Sequence, residues 1–143
     1  MQSFEFWLLI ILFVVVKRVG SMGTFERFVL KDGSHIRYKK SGSGKPLILL
    51  HTIRNRLEYF DRICPLLENS FTVYALDLPG FGDSPVNKAV NYDQTHMAEA
   101  IASFIAENKL SKLTLAGESI GAVLCATIAT MLPTQVGQIF LFN

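Results

Sequence analysis

At 143 residues the chain is long enough for one domain with a sizeable core. Half of its residues are hydrophobic and 18% are charged, which excludes a disordered chain, and a formal net charge of +2 without a basic, aromatic-interleaved stripe excludes a nucleic-acid partner. The two cysteines, Cys64 and Cys125, stand in separate apolar helical patterns with no C-x-x-C and no Cys/His cluster, so they read as buried thiols of a reducing compartment and no metal site is expected.

The first segment is an uninterrupted apolar run of eleven residues, Phe6 to Val16. As a helix it reaches about 16 Å, well short of a hydrocarbon core of about 30 Å. Glu5 precedes the run and Lys17-Arg18 follow it, the inverse of the charge order of a secretory signal. Two readings of residues 1–21 stand side by side, a weak membrane anchor and a leader foreign to the natural protein, with a domain beginning at Met22. In either case the expected location is the cytoplasm, membrane-anchored in the first.

Phe25 to Lys31 and Ser34 to Lys40 read as strands joined at Asp32-Gly33, a strong hairpin signal. After a turn over Ser41 to Lys45, Pro46 to Leu50 is continuously apolar, the signature of a strand buried on both faces of a parallel sheet. His51 to Asn55 is a polar loop, and Leu57 to Glu68 has helical spacing with Pro65 as a kink or break. Phe71 to Leu76 is a second buried strand, and Leu78 to Pro85 is a loop by its Pro and Gly content. Asp93 caps a helix that carries Met97, Ile101, Phe104 and Ile105 at helical spacing. His35 and His96 are expected at the surface.

Lys112 to Ala116 is a short strand that stops at Gly117. Ser119 follows, then Gly121, and from Ile120 to about Met131 the apolar spacing is helical. A serine at the apex of a strand–turn–helix, with glycines two residues to either side, is the arrangement of a nucleophile elbow. The glycines admit the close approach of strand and helix, and the serine is pushed into a strained conformation that projects Oγ. The helix N-terminus offers N–H groups to developing negative charge. The alternative is an ordinary Gly-Ser turn. Gln138 to Phe142 forms a last apolar strand. Strands alternating with helices after two antiparallel leading strands predict an α/β layer structure with a mostly parallel sheet.

Three stretches together resemble the α/β-hydrolase family over about Thr24 to Asn143. They are Gly44 to His51, Asp77 to Pro85, and Gly117-Glu118-Ser119-Ile120-Gly121, in the family's order and spacing. The resemblance implies that residues 22–143 are the N-terminal part of such a domain, without its lid and C-terminal strands and ending after about the sixth strand. It implies a serine hydrolase of ester-like bonds (carboxylic ester, lactone or related), acting on a small molecule through an acyl-enzyme on Ser119, with no cofactor. The Ile120 amide matches one oxyanion donor, and the Ile53 amide, ahead of that of Thr52, is the expected second. A serine at the elbow argues against the aspartate-nucleophile branches.

Two departures qualify this. Where the family has His-Gly, the chain has His51-Thr52-Ile53-Arg54-Asn55, which alters the path of the loop. Arg54 there either favours an anionic substrate or is a solvated surface arginine, the second reading being preferred. His51 reads as a structural hydrogen-bonding residue, Asp77 and Asp83 as ties within their loop, Phe81 as a cleft wall, and Glu118 as facing away from the reacting carbonyl. In the family the acid and histidine of the triad follow the serine, but residues 120–143 contain no Asp, Glu or His. The expectation is that both lie outside this chain, as in the N-terminal part of a longer hydrolase. The alternative is a non-catalytic fragment or pseudoenzyme that binds a small apolar ligand or a protein partner.

Overall fold

Continuous apolar runs become the inner strands and the charged hairpin becomes an edge. In the computed structural model, which describes residues 23–143, the strands are β1 (Thr24–Val29), β2 (His35–Gly42), β3 (Lys45–Leu50), β4 (Phe71–Leu76), β5 (Leu113–Glu118) and β6 (Val136–Phe142). They form one sheet in the order β1-β2-β4-β3-β5-β6. β1 with β2 and β2 with β4 are antiparallel; β4 with β3, β3 with β5 and β5 with β6 are parallel. The α/β architecture and the antiparallel lead into a parallel sheet are therefore as expected from the sequence.

The helices are the single turn α1 (Cys64–Leu67), α2 (Gln94–Glu107) and α3 (Ile120–Met131). Asp93 caps α2 by accepting the His96 N–H at 2.8 Å. α2 and α3 cover one face of the sheet, where Ile48, Leu50, Leu76, Leu115, Ile101, Phe104 and Leu124 are fully buried. Phe104 is the hub of this layer, meeting Phe28, Tyr38 and Tyr74 edge-on at centroid distances of 5.4, 4.9 and 5.8 Å. On the other face Leu47, Leu49, Val73 and Ala75 pack against Leu57 and Cys64. Both cysteines are buried free thiols, and burial pushes their pKa up to about 11 for Cys64 and about 12 for Cys125.

Two local expectations are corrected and one is met. The helical stretch from Leu57 to Glu68 is split into a 3₁₀ turn (Leu57–Phe60) and α1, the break that Pro65 predicts. Pro65 has no N–H to bond the carbonyl four residues back, so it cannot continue a helix from Leu57, and it sits in the first turn of α1, where the missing N–H costs nothing. The Leu57 N–H is held by the Asp77 carboxylate at 2.7 Å. β5 runs two residues further than expected, through Gly117 to Glu118. His35 and His96 are half-buried rather than superficial, each with its Nε2 atom enclosed. Among the described residues no helix is long and apolar enough to cross a membrane. The Phe6–Val16 run lies outside the described residues.

Candidate active site

The elbow geometry starts from two missing side chains. A Cβ on Gly117 would lie 2.3 Å from the Gly121 carbonyl carbon and oxygen, and one on Gly121 would lie 2.2 Å from the Leu50 carbonyl oxygen. Only glycine at both positions lets β5, the start of α3 and the end of β3 meet. Between them Ser119 holds φ 53° and ψ −115°, a conformation that L-residues rarely adopt. Its backbone N–H donates to the Phe142 carbonyl at 3.0 Å, and its own carbonyl accepts the first N–H bonds of α3, from Ala122 and Val123. The Ser119 residue is exposed. Glu118 points the other way, toward the sheet face opposite α2 and α3.

Leu50 is the register partner of Gly117, so the loop after β3 and the elbow leave adjacent strands at one level. His51, fully buried, begins that loop. Its Nε2 accepts the Leu78 N–H at 3.0 Å, which makes Nδ1 the protonated nitrogen, and Nδ1 donates to the Thr52 carbonyl at 2.7 Å. The Thr52 carbonyl also accepts the Asn55 N–H at 3.3 Å. A planar trans peptide points its C=O and N–H in opposite directions, so fixing the Thr52 oxygen fixes the Ile53 N–H. Among the described residues neither the Ile53 nor the Ile120 N–H has an acceptor. Pre-oriented and unoccupied, such donors can receive charge with little reorganisation. The Ile53 side chain is itself half-exposed.

His51 behaves as the sequence suggested, a structural residue. Burial lowers its pKa, against smaller opposing effects from the Thr52 carbonyl and Asp77. Phe81 packs edge-on against its ring at 6.2 Å. Asp77 is fully buried at the end of β4, where it accepts the Leu57 N–H at 2.7 Å and the Asp83 N–H at 2.8 Å and pairs with Arg37 at 3.2 Å. Arg37 also pairs with Glu58 and with Asp83, and Arg56 bridges Glu58 and Asp83. Partial burial alone would raise the Glu58 carboxyl. The hydrogen bonds from Arg37, the Glu58 backbone and Arg56, together with the charge of Arg37, outweigh it and hold the pKa at about 2. Sequence reading found the ties made by Asp77 but missed Arg37, Glu58 and Arg56, each of which lies 21 or more residues from at least one partner.

Among the described residues no histidine or carboxylate hydrogen-bonds the Ser119 Oγ, and no group of three or more His, Cys, Asp or Glu is placed to hold a metal ion. Below the elbow, on the sheet face away from α2 and α3, a groove of about 780 Å³ is lined by Leu47, Leu49, Phe60, Ala116, Phe140 and Phe142. Glu118 stands at its rim with one enclosed, unpartnered oxygen. Hydrogen bonding to this carboxylate raises the pKa of the neighbouring Tyr59 hydroxyl.

Residues 45–143 match the family model described as alpha/beta hydrolase fold. The chain is 33% identical over 106 residues to a pimeloyl-[acyl-carrier protein] methyl ester esterase of Pseudoalteromonas atlantica, covering 74% of this chain and 40% of that protein. It is 32% identical over 112 residues to a serine hydrolase-like protein of Mus musculus, covering 76% and 36%. Among solved structures, a membrane phospholipase A described as a bacterial virulence factor superposes with a TM-score of 0.80 at 29% identity, over 99% of this chain and 51% of that one. The chain thus spans about two fifths of the length of the curated relatives it matches.

Proposed function

Because the chain belongs to the alpha/beta hydrolase fold family, we propose that it forms the N-terminal part of a serine hydrolase that cleaves ester-like bonds through an acyl-enzyme on Ser119. The observation that carries this reading is the backbone of Ser119, held at φ 53° between two glycines that admit no side chain. An ordinary Gly-Ser turn has no need of that strain. In the proposed reaction the Ser119 Oγ attacks the ester carbonyl carbon while its proton passes to a histidine outside this chain. The Ile120 and Ile53 N–H groups receive the oxyanion, each contributing about 3 kcal/mol. The tetrahedral intermediate collapses with departure of the alcohol, protonated by the same histidine, and water then releases the acid from Ser119.

Activity is accordingly assigned to the longer protein. The reading frame beyond codon 143 is expected to supply a carboxylate and then a histidine. In that longer form Ser119→Ala abolishes ester turnover and leaves the fold intact. Retained turnover excludes Ser119 as nucleophile, and a native cellular protein of about 16 kDa ending at codon 143 overturns the assignment.

Weak membrane association through Phe6–Val16 rests on the sequence alone, an apolar run of eleven residues followed by Lys17-Arg18. Flotation of the full chain with phospholipid vesicles, lost on deletion of residues 1–21, tests this. A second function reading, a non-catalytic fragment that binds an apolar molecule or a protein partner, is favoured by the apolar groove beneath the elbow. Turnover by the longer form that disappears with Ser119→Ala decides against it.

A further inference from the structure

Thr52 to Asn55 form a turn closed by the Asn55 N–H and the Thr52 carbonyl at 3.3 Å. Arg54 is its third residue and has φ 62°. This is the left-handed conformation that a type II turn requires at that position, and glycine or asparagine fills it at least cost. Two other cationic residues share such a φ, Lys109 and Lys112. Lys109 terminates α2, its N–H donating to Ala106 while the Leu110 N–H donates to Ile105, the reciprocal bonding that ends many helices. Lys112 precedes β5 at the opposite end of the sheet from the elbow. Arg54 ends no helix, and the cost of its backbone has no local return.

Nor does Arg54 neutralise a carboxylate. The three acids around this loop, Glu58, Asp77 and Asp83, are shared between Arg37 and Arg56, and no ion pair to Arg54 exists among the described residues. Its side chain is exposed, and its Cα lies one residue beyond the Ile53 N–H. The turn that orients that N–H is the same turn that holds Arg54. A guanidinium carried on this turn, one residue from the Ile53 N–H and with its fork unengaged, is suited to bind a planar anion bidentately.

We propose that Arg54 is a specificity-determining residue that selects esters carrying an ionised carboxylate a few bonds from the reacting carbonyl, such as monoesters of dicarboxylic acids. The proposal rests on the reading of Ser119, Ile120 and Ile53 as the site. Titration of the 143-residue chain with monomethyl glutarate and with dimethyl glutarate, followed through the amide resonances of Ile53, Ser119 and Ile120, tests both. The charged monoester binds more tightly, by about tenfold. Arg54→Gly, which suits the backbone, brings the ratio of the two affinities to about one, and Arg54→Lys keeps an intermediate ratio. Equal affinities in the unaltered chain, or a ratio unchanged in Arg54→Gly, overturn the proposal and leave the site reading standing. Uniform weakening of both esters in Arg54→Gly marks Arg54 as a merely structural turn residue and also overturns it. If neither ester moves the three amides, the site reading itself fails and the proposal falls with it.

Discussion

The Nε2 atom of His51 accepts the backbone N–H of Leu78 at 3.0 Å, and this bond joins the loop after β3 to the loop after β4. The bond needs the neutral ring, because a charged imidazolium would present an N–H to the Leu78 N–H. The folded-state pKa of His51 is lowered from 6.5, so the unfolded chain takes up the proton first. The stability that neutral His51 contributes is complete above pH 6.5 and is lost as the pH falls below it toward the depressed folded-state value. Urea denaturation is expected to show a midpoint that falls between pH 7.5 and 5.5. His51→Gln lowers stability at pH 7.5 by about 2 kcal/mol and flattens this stretch of the profile. An unaltered slope in the variant would show that another group titrates.

A second prediction concerns the buried charge at the end of β4. Asp77 is fully buried and Arg37 is its ionic partner. Arg37→Ala leaves that carboxylate unpaired and is expected to cost about 3 kcal/mol in equilibrium unfolding. The same change releases Glu58, whose folded-state pKa is held at about 2 against an ordinary 4.5. A carboxyl with a depressed folded-state pKa contributes stability that is present above 4.5 and lost as the pH falls through about 2. The acid-unfolding midpoint of Arg37→Ala therefore lies at higher pH than that of the unaltered chain. Coincident acid transitions would deny Arg37 this role.

The close packing at the elbow is testable with one methyl group. Gly121→Ala drives a Cβ to 2.2 Å from the Leu50 carbonyl and is expected to destabilise by about 3 kcal/mol, because backbone rather than a flexible side chain must move. Gly137→Ala supplies the control. Its nearest atom would lie at 3.7 Å, an ordinary contact, and its effect on the thermal midpoint is expected to be close to zero or slightly stabilising. Equal effects from the two substitutions would mean that β3 and α3 are not in contact.

Strain at Ser119 predicts a gain rather than a loss. Glycine accepts φ 53° freely, so Ser119→Gly raises stability by about 1 kcal/mol in denaturant unfolding, whereas Ser119→Ala keeps the strain and does not. A destabilised Ser119→Gly would place the strain elsewhere.

The elbow was legible because all its determinants are local: a short apolar run, then Gly117, Ser119 and Gly121 in five residues that open a helix. The parallel sheet was legible because Pro46 to Leu50 and Phe71 to Leu76 lack alternation, as strands covered on both faces do. What escaped is what depends on distant partners. The break between Leu57–Phe60 and α1 could be read from Pro65, but the bond that anchors the Leu57 N–H to Asp77, twenty residues away, could not. The ion pairs of Arg37 reach 21 to 46 residues along the chain and leave no periodic trace. The left-handed Arg54 carries no glycine or asparagine to announce it, so Thr52-Ile53-Arg54-Asn55 does not read as a turn of that type.

The order of strands has a consequence for where any ligand can sit. β3 lies between β4 and β5. The chain leaving the carboxyl end of β3 turns toward β4, and the chain leaving β5 turns toward β6. These neighbouring connections diverge, so a crevice opens between them at the topological switch point of the sheet, where open α/β sheets bind their ligands. Connectivity alone therefore sets the place of the crevice. The identities of the exposed residues on those two connections, Ile53, Arg54 and Ser119, decide only which groups border it.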